Sequence, residues 1–424
     1  DKADREIRVT NGEGESTTTV YNIAGRPIGK IDPLLRRTTT SFDPTGREIA
    51  VRNAEQEVSS TIYDVAGRKI ASVDPDGHRQ TTVYDRANRE TQQIDELNNS
   101  TQKVYDDAGR TIVDIDQDGN RTTYAYDKAN RRIRETSAIE GVSTTVYDAQ
   151  GRVIQEGNPL DKVTAYKYDD AGRQIARTDP MQGIITSLYD AAGRTTATYD
   201  QLGNTTLNKF DAAGQQIATT DAITGIATTV FDRGGRVELT INQKEEVTTF
   251  GYDCADRQTL VINSCGDATT TVYDVAGQTH VTIDPLGNRT TYGYDKAGRQ
   301  ESVTNPRGYT TTTLYNTAGR TEATIDALGY RTTFGYDFAG RQITTTNALD
   351  EVSTTIYESR GLVSATITPL GHRTSYTYNE MGWQTQVTNP ENETTTTRYD
   401  QAGRAIATIN ALGHRTTTVY DAGG

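Results

Sequence analysis

The sequence is poor in the residues from which many functional and covalent sites are built. Its 424 residues include two Cys, two Met, one Trp, four His and ten Pro. Cys254 and Cys265 fall at turns on opposite ends of one predicted strand, ~20 Å apart, whereas a disulfide needs Cα atoms within ~7 Å. The sequence therefore predicts no disulfide between them.

Long hydrophobic runs and excess positive charge are also missing. No segment approaches the ~18 apolar residues of a membrane-spanning helix. The net charge of −13 opposes phosphate binding, which needs clusters of Lys and Arg. We therefore expect neither a membrane span nor a nucleic-acid partner. Hydrophobic residues make up only 33%, but Tyr reaches 24 and Thr is abundant, which favours thin β-sheets over disorder.

A 21-residue repeat occupies the whole sequence. Tyr or Phe followed by an acidic or amide residue stands at every 21st position from Tyr21 to Tyr420, 20 times without insertion or deletion. Units of this kind bury their apolar surface only by stacking on their neighbours. We predict one uninterrupted array over residues 1–424, expected to be a fragment of a longer chain. We expect no enzyme, because a catalytic centre needs dissimilar residues at one place.

Each repeat reads as a β-hairpin. With its Tyr as position 1, turn signals lie at positions 3–5 and 12–16, and β-rich runs occupy positions 6–11 and 17 to the next Tyr. Twenty units give about 40 strands, and open twisted sheets rarely exceed ~10 strands without curling. The predicted fold is all-β, an array of 20 β-hairpin repeats of 21 residues wound into a continuous spiral sheet, tube or shell.

Position 5 carries the clearest conformational signal. Seventeen of the 20 units have Gly there, and the other three have Asn88, Asn130 and Asp256. These residue types best tolerate positive φ, so the position is predicted to be a left-handed turn. The structural turn residues singled out are Gly67, Gly109, Gly277, Gly298, Gly319 and Gly340.

The units also alternate with a period of 42 residues. Six of the ten even-numbered units are entered through an aromatic-x-Tyr pair, whereas the odd units mostly have Thr-Thr-aliphatic. Residues i and i+2 of a strand share one face. We expect the aromatic pairs to stack into ladders between strands or successive turns of the spiral. The ladder residues singled out are Tyr124, Tyr126, Tyr292, Tyr294, Phe334 and Tyr336.

The charged residues indicate turn structure rather than a chemical site. Asp at position 2 and Arg at position 6 flank the turn and favour a repeated clasp over a ligand site, each pair contributing ~0–1 kcal/mol. Asp114, Asp116 and Asp118 imitate the start of an EF-hand loop, but its twelfth position is Ala125 and not the bidentate Glu required. We predict no catalytic, cofactor-binding or metal residue, and leave open a different calcium contact at the carboxylate-lined turns.

The run from Tyr273 to Asp295 resembles the YD (tyrosine–aspartate) repeats, also called RHS repeats. The family includes RHS proteins, components of insecticidal toxin complexes, teneurins and wall-associated repeat proteins. The resemblance covers the whole chain and implies a spiralling β-sheet that can close into a hollow shell around a toxin. This sequence lacks the terminal core segment of the shell-type members, with its aspartyl self-cleavage site, and its repeat length never varies.

Three functions follow as hypotheses. The first is a non-enzymatic structural segment of a giant extracellular YD-repeat fibre or tube, since a helical lattice needs equal units. The alternative is a hollow β-shell that encapsulates a toxin cargo. A third is a cell-surface adhesion or carbohydrate-binding module. The expected partners are neighbouring repeats of the same long chain, further copies of it, or an encapsulated polypeptide; no cofactor is expected, and the expected location is extracellular or at the cell surface.

Overall fold

The computed structural model describes residues 1–3 and 5–421. In these residues, forty β-strands joined by short turns make up one antiparallel sheet. The predicted all-β array of hairpin repeats is confirmed. None of the described residues belongs to a helix capable of crossing a lipid bilayer.

The strands are numbered in chain order. The first twenty are β1 Arg8–Thr10, β2 Ser16–Tyr21, β3 Pro27–Ile31, β4 Arg37–Phe42, β5 Glu48–Arg52, β6 Val58–Tyr63, β7 Lys69–Val73, β8 Arg79–Tyr84, β9 Glu90–Ile94, β10 Ser100–Tyr105, β11 Thr111–Ile115, β12 Arg121–Tyr126, β13 Arg132–Thr136, β14 Val142–Tyr147, β15 Val153–Gly157, β16 Val163–Tyr168, β17 Gln174–Thr178, β18 Ile184–Tyr189, β19 Thr195–Tyr199 and β20 Thr205–Phe210. The others are β21 Gln216–Thr220, β22 Ile226–Phe231, β23 Val237–Ile241, β24 Val247–Tyr252, β25 Gln258–Ile262, β26 Ala268–Tyr273, β27 Thr279–Ile283, β28 Arg289–Tyr294, β29 Gln300–Thr304, β30 Thr310–Tyr315, β31 Thr321–Ile325, β32 Arg331–Tyr336, β33 Gln342–Thr346, β34 Val352–Tyr357, β35 Val363–Ile367, β36 Arg373–Tyr378, β37 Gln384–Thr388, β38 Thr394–Tyr399, β39 Ala405–Ile409 and β40 Arg415–Thr417.

One repeat supplies a five-residue strand at positions 7–11 and a six-residue strand that ends on the Tyr of the next repeat. Between β26 and β27, Val272 lies opposite Val281 and Tyr273 lies opposite Thr279, so the register shifts at the Tyr. This bulge recurs at the corresponding Tyr or Phe of the other repeats. The shorter strand begins one residue later than the sequence predicts, because the residue at position 6 is still held in the turn.

The buried core is thin and follows the 42-residue alternation. The seven buried hydrophobic residues of the described chain are at most 8% exposed, and all occupy position 9 of odd-numbered repeats. Only a methyl group is covered completely, as at Ala323 and Ala365. The core residues are Ala71, Val113, Ala197, Val281, Ala323, Ala365 and Ala407. The two kinds of repeat therefore meet different packing environments.

The chain divides into two compact units, each assembled from segments far apart in sequence. The first unit comprises Asp1–Thr82, Ile94–Asn98 and Thr229–Val352. The second comprises Val83–Gln93, Asn99–Thr228 and Ser353–Gly424. Within each unit, consecutive strands pair antiparallel.

Candidate functional site

The first turn of each repeat, at positions 2–6, is a clasp built around one carboxylate. In the repeat that starts at Tyr252, Oδ1 of Asp253 accepts hydrogen bonds from the backbone N–H groups of Ala255 and Arg257, both at 2.9 Å. Its Oδ2 accepts from Nε of Arg257 at 2.7 Å. The side chain thus satisfies turn donors that strand pairing leaves unpaired.

The residue at position 5 of this turn has a left-handed conformation. The six glycines singled out from the sequence have φ values between 77° and 86°. Asn88, Asn130 and Asp256 occupy the same position with φ of 64°, 64° and 63°. The position-5 N–H donates to the backbone carbonyl of position 2, as Gly277 does to Asp274 at 3.0 Å. The six glycines are Gly67, Gly109, Gly277, Gly298, Gly319 and Gly340.

The Arg of each clasp also joins one repeat to the next. The guanidinium of Arg257 lies over the ring of Tyr273, 4.9 Å from its centroid, and Nη1 donates to the carbonyl of Asp274 at 3.5 Å. The hydroxyl of Tyr273 donates to the carbonyl of Gln258 at 2.8 Å. The same Arg–Tyr arrangement recurs in both units. Cation–π contacts of this kind contribute about 0.5–1 kcal/mol each at exposed sites.

The six aromatic residues singled out from the sequence contact neighbouring strands rather than one another. Within the described residues, no ring–ring contact joins any of the six. Instead, Tyr124 donates to Oδ2 of Asp114 at 2.8 Å and lies under the guanidinium of Arg132; burial and this hydrogen bond raise the pKa of Tyr124 to about 12.

The other members of this set also bind across adjacent strands. The hydroxyls of Tyr126, Tyr294 and Tyr336 each donate to a backbone carbonyl 15 residues earlier, at 2.6–2.8 Å. The Tyr292 hydroxyl lies 3.3 Å from Oγ1 of Thr282, and Phe334 lies opposite Thr345. The structure thus differs from the expected ladder of stacked rings. Successive aromatic pairs are four strands apart, ~19 Å, which is beyond ring contact.

The second turn, at positions 12–16, uses the same carboxylate or amide clasp. Oδ1 of Asp284 accepts from the N–H groups of Leu286 and Asn288 at 2.9 and 2.8 Å. Position 15 is left-handed here as well, yet Leu35 and Thr224 occupy it with φ of 63° and 68°. Thr224 is strained, because a β-branched residue is disfavoured in this conformation.

Within the first unit, second turns of early repeats bind first turns of later repeats, and we call this set of contacts the seam. Glu13 Oε1 accepts from the backbone N–H of Cys254 at 2.8 Å, 241 residues later. Glu15 accepts from Nη1 of Arg257 at 3.3 Å. Cys254 and Cys265 are both free and exposed.

The seam repeats 42 residues further along. Glu55 Oε1 accepts from the backbone N–H of Lys296 at 2.8 Å, and Glu57 Oε1 accepts from Nη1 of Arg299 at 3.1 Å. The Glu15 and Glu57 side chains are only 11% and 12% exposed. Their ion pairs are therefore less screened than those on an open surface.

Between the Glu15 and Glu57 sites, the seam contact has a different pair of residue types but the same sequence separation. Arg36 stands at position 16 in place of Glu, and Gln278 stands at position 6 in place of Arg. Nη1 of Arg36 donates to Oε1 of Gln278 at 2.8 Å, across 242 residues of sequence. A second guanidinium at position 278 would lie against that of Arg36, so the neutral amide preserves complementarity.

Asp76 makes the next contacts of the seam. Its carboxylate accepts from the Thr317 hydroxyl and from Nη2 of Arg320, and the ring of His78 lies 5.0 Å from that of Phe338. Asp74, Asp76 and His78 bring potential metal-ligand atoms within 4.8 Å of one another. Because Arg320 already compensates the charge of Asp76, a cation would have to displace that guanidinium.

The second unit contains a corresponding seam. Oδ2 of Asp118 lies 2.6 Å from Nε of Arg360, and its Oδ1 accepts from the Ser359 hydroxyl. Asn120 Nδ2 donates to the carbonyl of Glu380 at 3.4 Å. Of the three acids that imitate an EF-hand, Asp118 thus belongs to the seam, and Asp116 accepts from the N–H of Asn120 at 2.9 Å within its own turn.

The clasp lowers the pKa of its carboxylates. Hydrogen bonds from the backbone N–H and then the side chain of Arg110 hold the pKa of Asp106 below its ordinary value of 3.8. The same causes, in the same order, lower the pKa of Asp169 and of Asp190 through Arg173 and Arg194. These acids are ionised at neutral pH and serve as acceptors of the turn.

Sequence comparison identifies two family profiles in this chain. The profile of the RHS Repeat matches residues 105–138 and 147–180. The profile of the Teneurin YD-shell matches residues 280–410. A comparison with curated proteins finds no match.

Structural comparison finds similar folds in toxin complexes. A Tc holotoxin pore from Photorhabdus luminescens superposes with a TM-score of 0.72 at 17% identity, over 97% of this chain and 27% of that one. TcdB2-TccC3 without its hypervariable C-terminal region superposes with a TM-score of 0.70 at 17% identity, over 94% of this chain and 26% of that one. TcdB2-TccC3-TEV superposes with a TM-score of 0.65 at 15% identity, over 93% of this chain and 28% of that one.

This chain therefore spans about a quarter of the length of the chains it superposes on. At such low identity the similarity concerns the fold alone. The fold and both family profiles agree on one feature, an array of β-hairpin repeats. Residues 105–138 and 147–180 therefore match the RHS repeat, residues 280–410 match the YD-shell, and the other repeats share their 21-residue spacing.

Proposed function

We propose that this chain is a structural wall segment of a hollow YD-repeat shell that encloses a polypeptide cargo. The observation that carries the proposal is the seam. In the first unit its hydrogen bonds and ion pairs join residues 241–244 apart, and in the second unit Asp118 and Ser359 are 241 apart. Turns at opposite ends of the strands bond to each other at a nearly constant separation in sequence. A sheet with such bonds is suited to forming a continuous wall.

The seam suits a wall because its hydrogen bonds and ion pairs involve turn groups that would otherwise be exposed to solvent. Hairpin turns present free N–H groups and charged tips, and the seam pairs them, as with Glu55 and the N–H of Lys296. Paired polar groups at the turns avoid the free-energy cost of lying close together without hydrogen-bond partners. The proposed role is non-enzymatic, because the recurring Asp and Arg side chains, such as Asp253 and Arg257, are engaged in the clasp.

The comparisons support this function at the level of fold. Structures of toxin complexes superpose on 93–97% of the chain, and one matching family is described as a YD-shell. We propose on this basis that the cargo is a polypeptide and that the protein acts outside the cell or at its surface. No cofactor belongs to this proposal.

A fibre or tube built from the same sheet is the second candidate. The observation that favours it is the uniformity of the repeat, which keeps the seam in one register from Glu13 to Asp76. A wall made of equal units has no built-in reason to taper, whereas a closed container must taper at its ends.

Electron microscopy of the native material separates the two candidates. The shell proposal predicts closed hollow particles with internal density, and a cargo segment that resists protease until the particle is unfolded. Long filaments without internal density, or a cargo cleaved as fast in the native as in the unfolded protein, would overturn the shell and favour the fibre.

A further inference from the structure

Strands β12–β20, in the second unit, have one face that carries bases and no acids. Residues directly opposite one another on antiparallel strands share a face. The register sets position 9 opposite positions 19 and 21, and position 11 opposite position 17. We call the residues at these five positions of β12–β20 the basic face. Its charged residues are Arg121, Arg134, Lys167 and Lys209, and all four are exposed.

The opposite face of the same strands has balanced and paired charges. Arg132 Nη1 lies 3.3 Å from Oε2 of Glu135, and the Tyr166 hydroxyl donates to Oε2 of Glu156 at 2.7 Å. On the basic face, by contrast, none of the four bases has an ion pair or a side-chain hydrogen bond to another described residue. The whole chain has 57 acidic and 44 basic residues, so the absence of acids from this face runs against its composition.

The basic face also carries apolar side chains that remain exposed. Leu188 and Leu207 both lie opposite Ala197 on the strand between them. They are nevertheless 47% and 48% exposed. Contiguous exposed apolar side chains mark sites at which another molecule binds. The other exposed apolar residues of this face are Val146, Val163, Ile184 and Tyr199.

Basic and apolar residues alternate at position 21. Val146, Lys167, Leu188 and Lys209 occupy this position in four consecutive repeats. Lys167 lies opposite the small residue Ala176, so its aliphatic stem is not covered by a large neighbour. Consecutive members of the row are two strands apart, ~10 Å, and the two lysines are four strands apart, ~19 Å.

Solubility alone does not account for this row. Acids keep an exposed sheet soluble at least as well as bases do, and the chain is rich in acids. A solubilising role also sets no requirement for an aliphatic residue between the bases, such as Leu188 between Lys167 and Lys209. The alternation instead matches a ligand that has both negative charges and apolar groups at regular intervals.

We propose that the basic face binds an acidic, extended polypeptide segment of another protein. A polyproline II segment has three residues per turn, so every third side chain points to the same side at intervals of ~9 Å. This interval matches the ~10 Å spacing of the row. Acidic side chains at every sixth residue would meet Lys167 and Lys209, and an apolar side chain midway would meet Leu188. The proposal depends on this face and not on the proposed shell or cargo.

The spacing of the charges favours a polypeptide over a nucleic acid or a lipid surface. Lys167 and Lys209 are separated by more than the screening length of ~8 Å at physiological ionic strength, so each acts as a separate site. Nucleic-acid binding depends on clustered bases that release counterions, and anionic membranes bind clusters of Lys and Arg. The net charge of −13 opposes both ligands.

Fluorescence anisotropy with a labelled synthetic peptide tests the proposal. In this probe every third residue is alternately Leu and Glu, and the remaining residues are Pro and Ser. The wild-type chain should bind it saturably. Lys167→Glu and Lys209→Glu should each weaken binding about tenfold, because a repulsion replaces an attraction, whereas Lys167→Arg should bind nearly as well as the wild type. Lys128→Glu, at an exposed turn of the same unit, changes the net charge equally and should leave binding unchanged.

A charge swap provides a test that general damage cannot imitate. A second probe, with Lys in place of Glu, should bind the Lys167→Glu/Lys209→Glu double variant more tightly than it binds the wild type. A wild-type chain that fails to bind the first probe, an equal loss in Lys128→Glu, or a second probe that prefers the wild type would overturn the proposal. RNA or anionic phospholipid vesicles that bind more tightly than the first probe, and are released by the same double variant, would overturn it as well. Unchanged circular dichroism melts would show that each variant is folded.

Discussion

Arg36 donates a hydrogen bond to Gln278 across 242 residues of sequence. At the two neighbouring sites of the seam the same positions hold a carboxylate and a guanidinium, Glu15 with Arg257 and Glu57 with Arg299. The basic residue Arg36 at position 16 thus meets Gln278 at position 6 of its partner, where most repeats have Arg. The residue types at these two positions are complementary in each of the three contacts.

Gln278→Arg is therefore expected to destabilise the first unit. The substitution opposes two guanidinium groups and removes the hydrogen bond from Gln278 Nε2 to the Gly298 carbonyl. The expected cost is about 1–2 kcal/mol, measured by urea unfolding. Arg257→Gln would instead remove an attraction, and it provides a comparison at a site of the usual charge pattern.

A compensating variant distinguishes repulsion from general damage. Adding Asp32→Asn and Arg36→Glu to Gln278→Arg recreates the arrangement of Asn11, Glu15 and Arg257. Most of the lost stability should return. If the triple variant is no more stable than Gln278→Arg alone, charge matching does not set the register.

The left-handed turn predicts different effects for Val and Asn at position 5. Gly277→Val is expected to cost ~1 kcal/mol or more, because a β-branched residue is disfavoured at the φ of 81° found there. Gly277→Asn should be nearly neutral, since Asn88 and Asn130 adopt this conformation in the same chain. Thermal unfolding of the two variants checks the difference, and equal losses would contradict it.

Thr224 offers the opposite experiment. It is a β-branched residue at a φ of 68°, and the other members of its position include glycines such as Gly203 and Gly266. Thr224→Gly is expected to stabilise the second unit by about 1 kcal/mol, because relief of strain outweighs the added flexibility of the unfolded chain. A lower melting temperature for this variant would show that the Thr side chain makes a compensating contact.

The sequence sufficed for the features that depend on local chemistry. The period placed forty strands correctly, and the Gly, Asn and Asp residues at position 5 indicated the φ values that Gly277 and Asn88 adopt. Asp and Arg at positions 2 and 6 indicated a clasp, and Asp253 and Arg257 form one. Each of these inferences concerns residues within a few positions of one another.

The features that depend on distant residues were not predicted. The Arg–Tyr contacts replace the expected aromatic ladder because Arg257 reaches the ring of Tyr273 in the adjacent repeat, whereas the next aromatic pair is four strands away. The seam was missed because its partners lie 241–260 residues apart. Gln278 departs from the usual Arg at position 6, but this departure can be related to Arg36 only once the separation of the two repeats is known.

The clasp carboxylates predict how stability depends on pH. Asp106, Asp169 and Asp190 have a lower pKa in the folded chain than the ordinary value of 3.8. The unfolded chain then binds protons more readily than the folded one. Their contribution is complete at pH values well above 3.8, declines as the unfolded carboxylates take up protons, and is lost as the pH falls through the folded pKa values. Stability should therefore be nearly constant from neutral pH down to about pH 5 and fall steeply below about pH 4.

Replacing these three residues by Asn should reduce that acid sensitivity. Asn already holds the clasp at position 2 of one repeat, where Oδ1 of Asn316 accepts from the N–H groups of Ala318 and Arg320 at 3.1 and 2.9 Å. The triple variant should be less stable than the wild type at pH 7, because it loses three ion pairs. The difference should shrink as the pH falls below about 4, since the unfolded wild-type chain then takes up protons and the folded chain loses these pairs once the pH passes the folded pKa values. Acid unfolding followed by circular dichroism measures both effects, and parallel curves at every pH would refute the role assigned to these carboxylates.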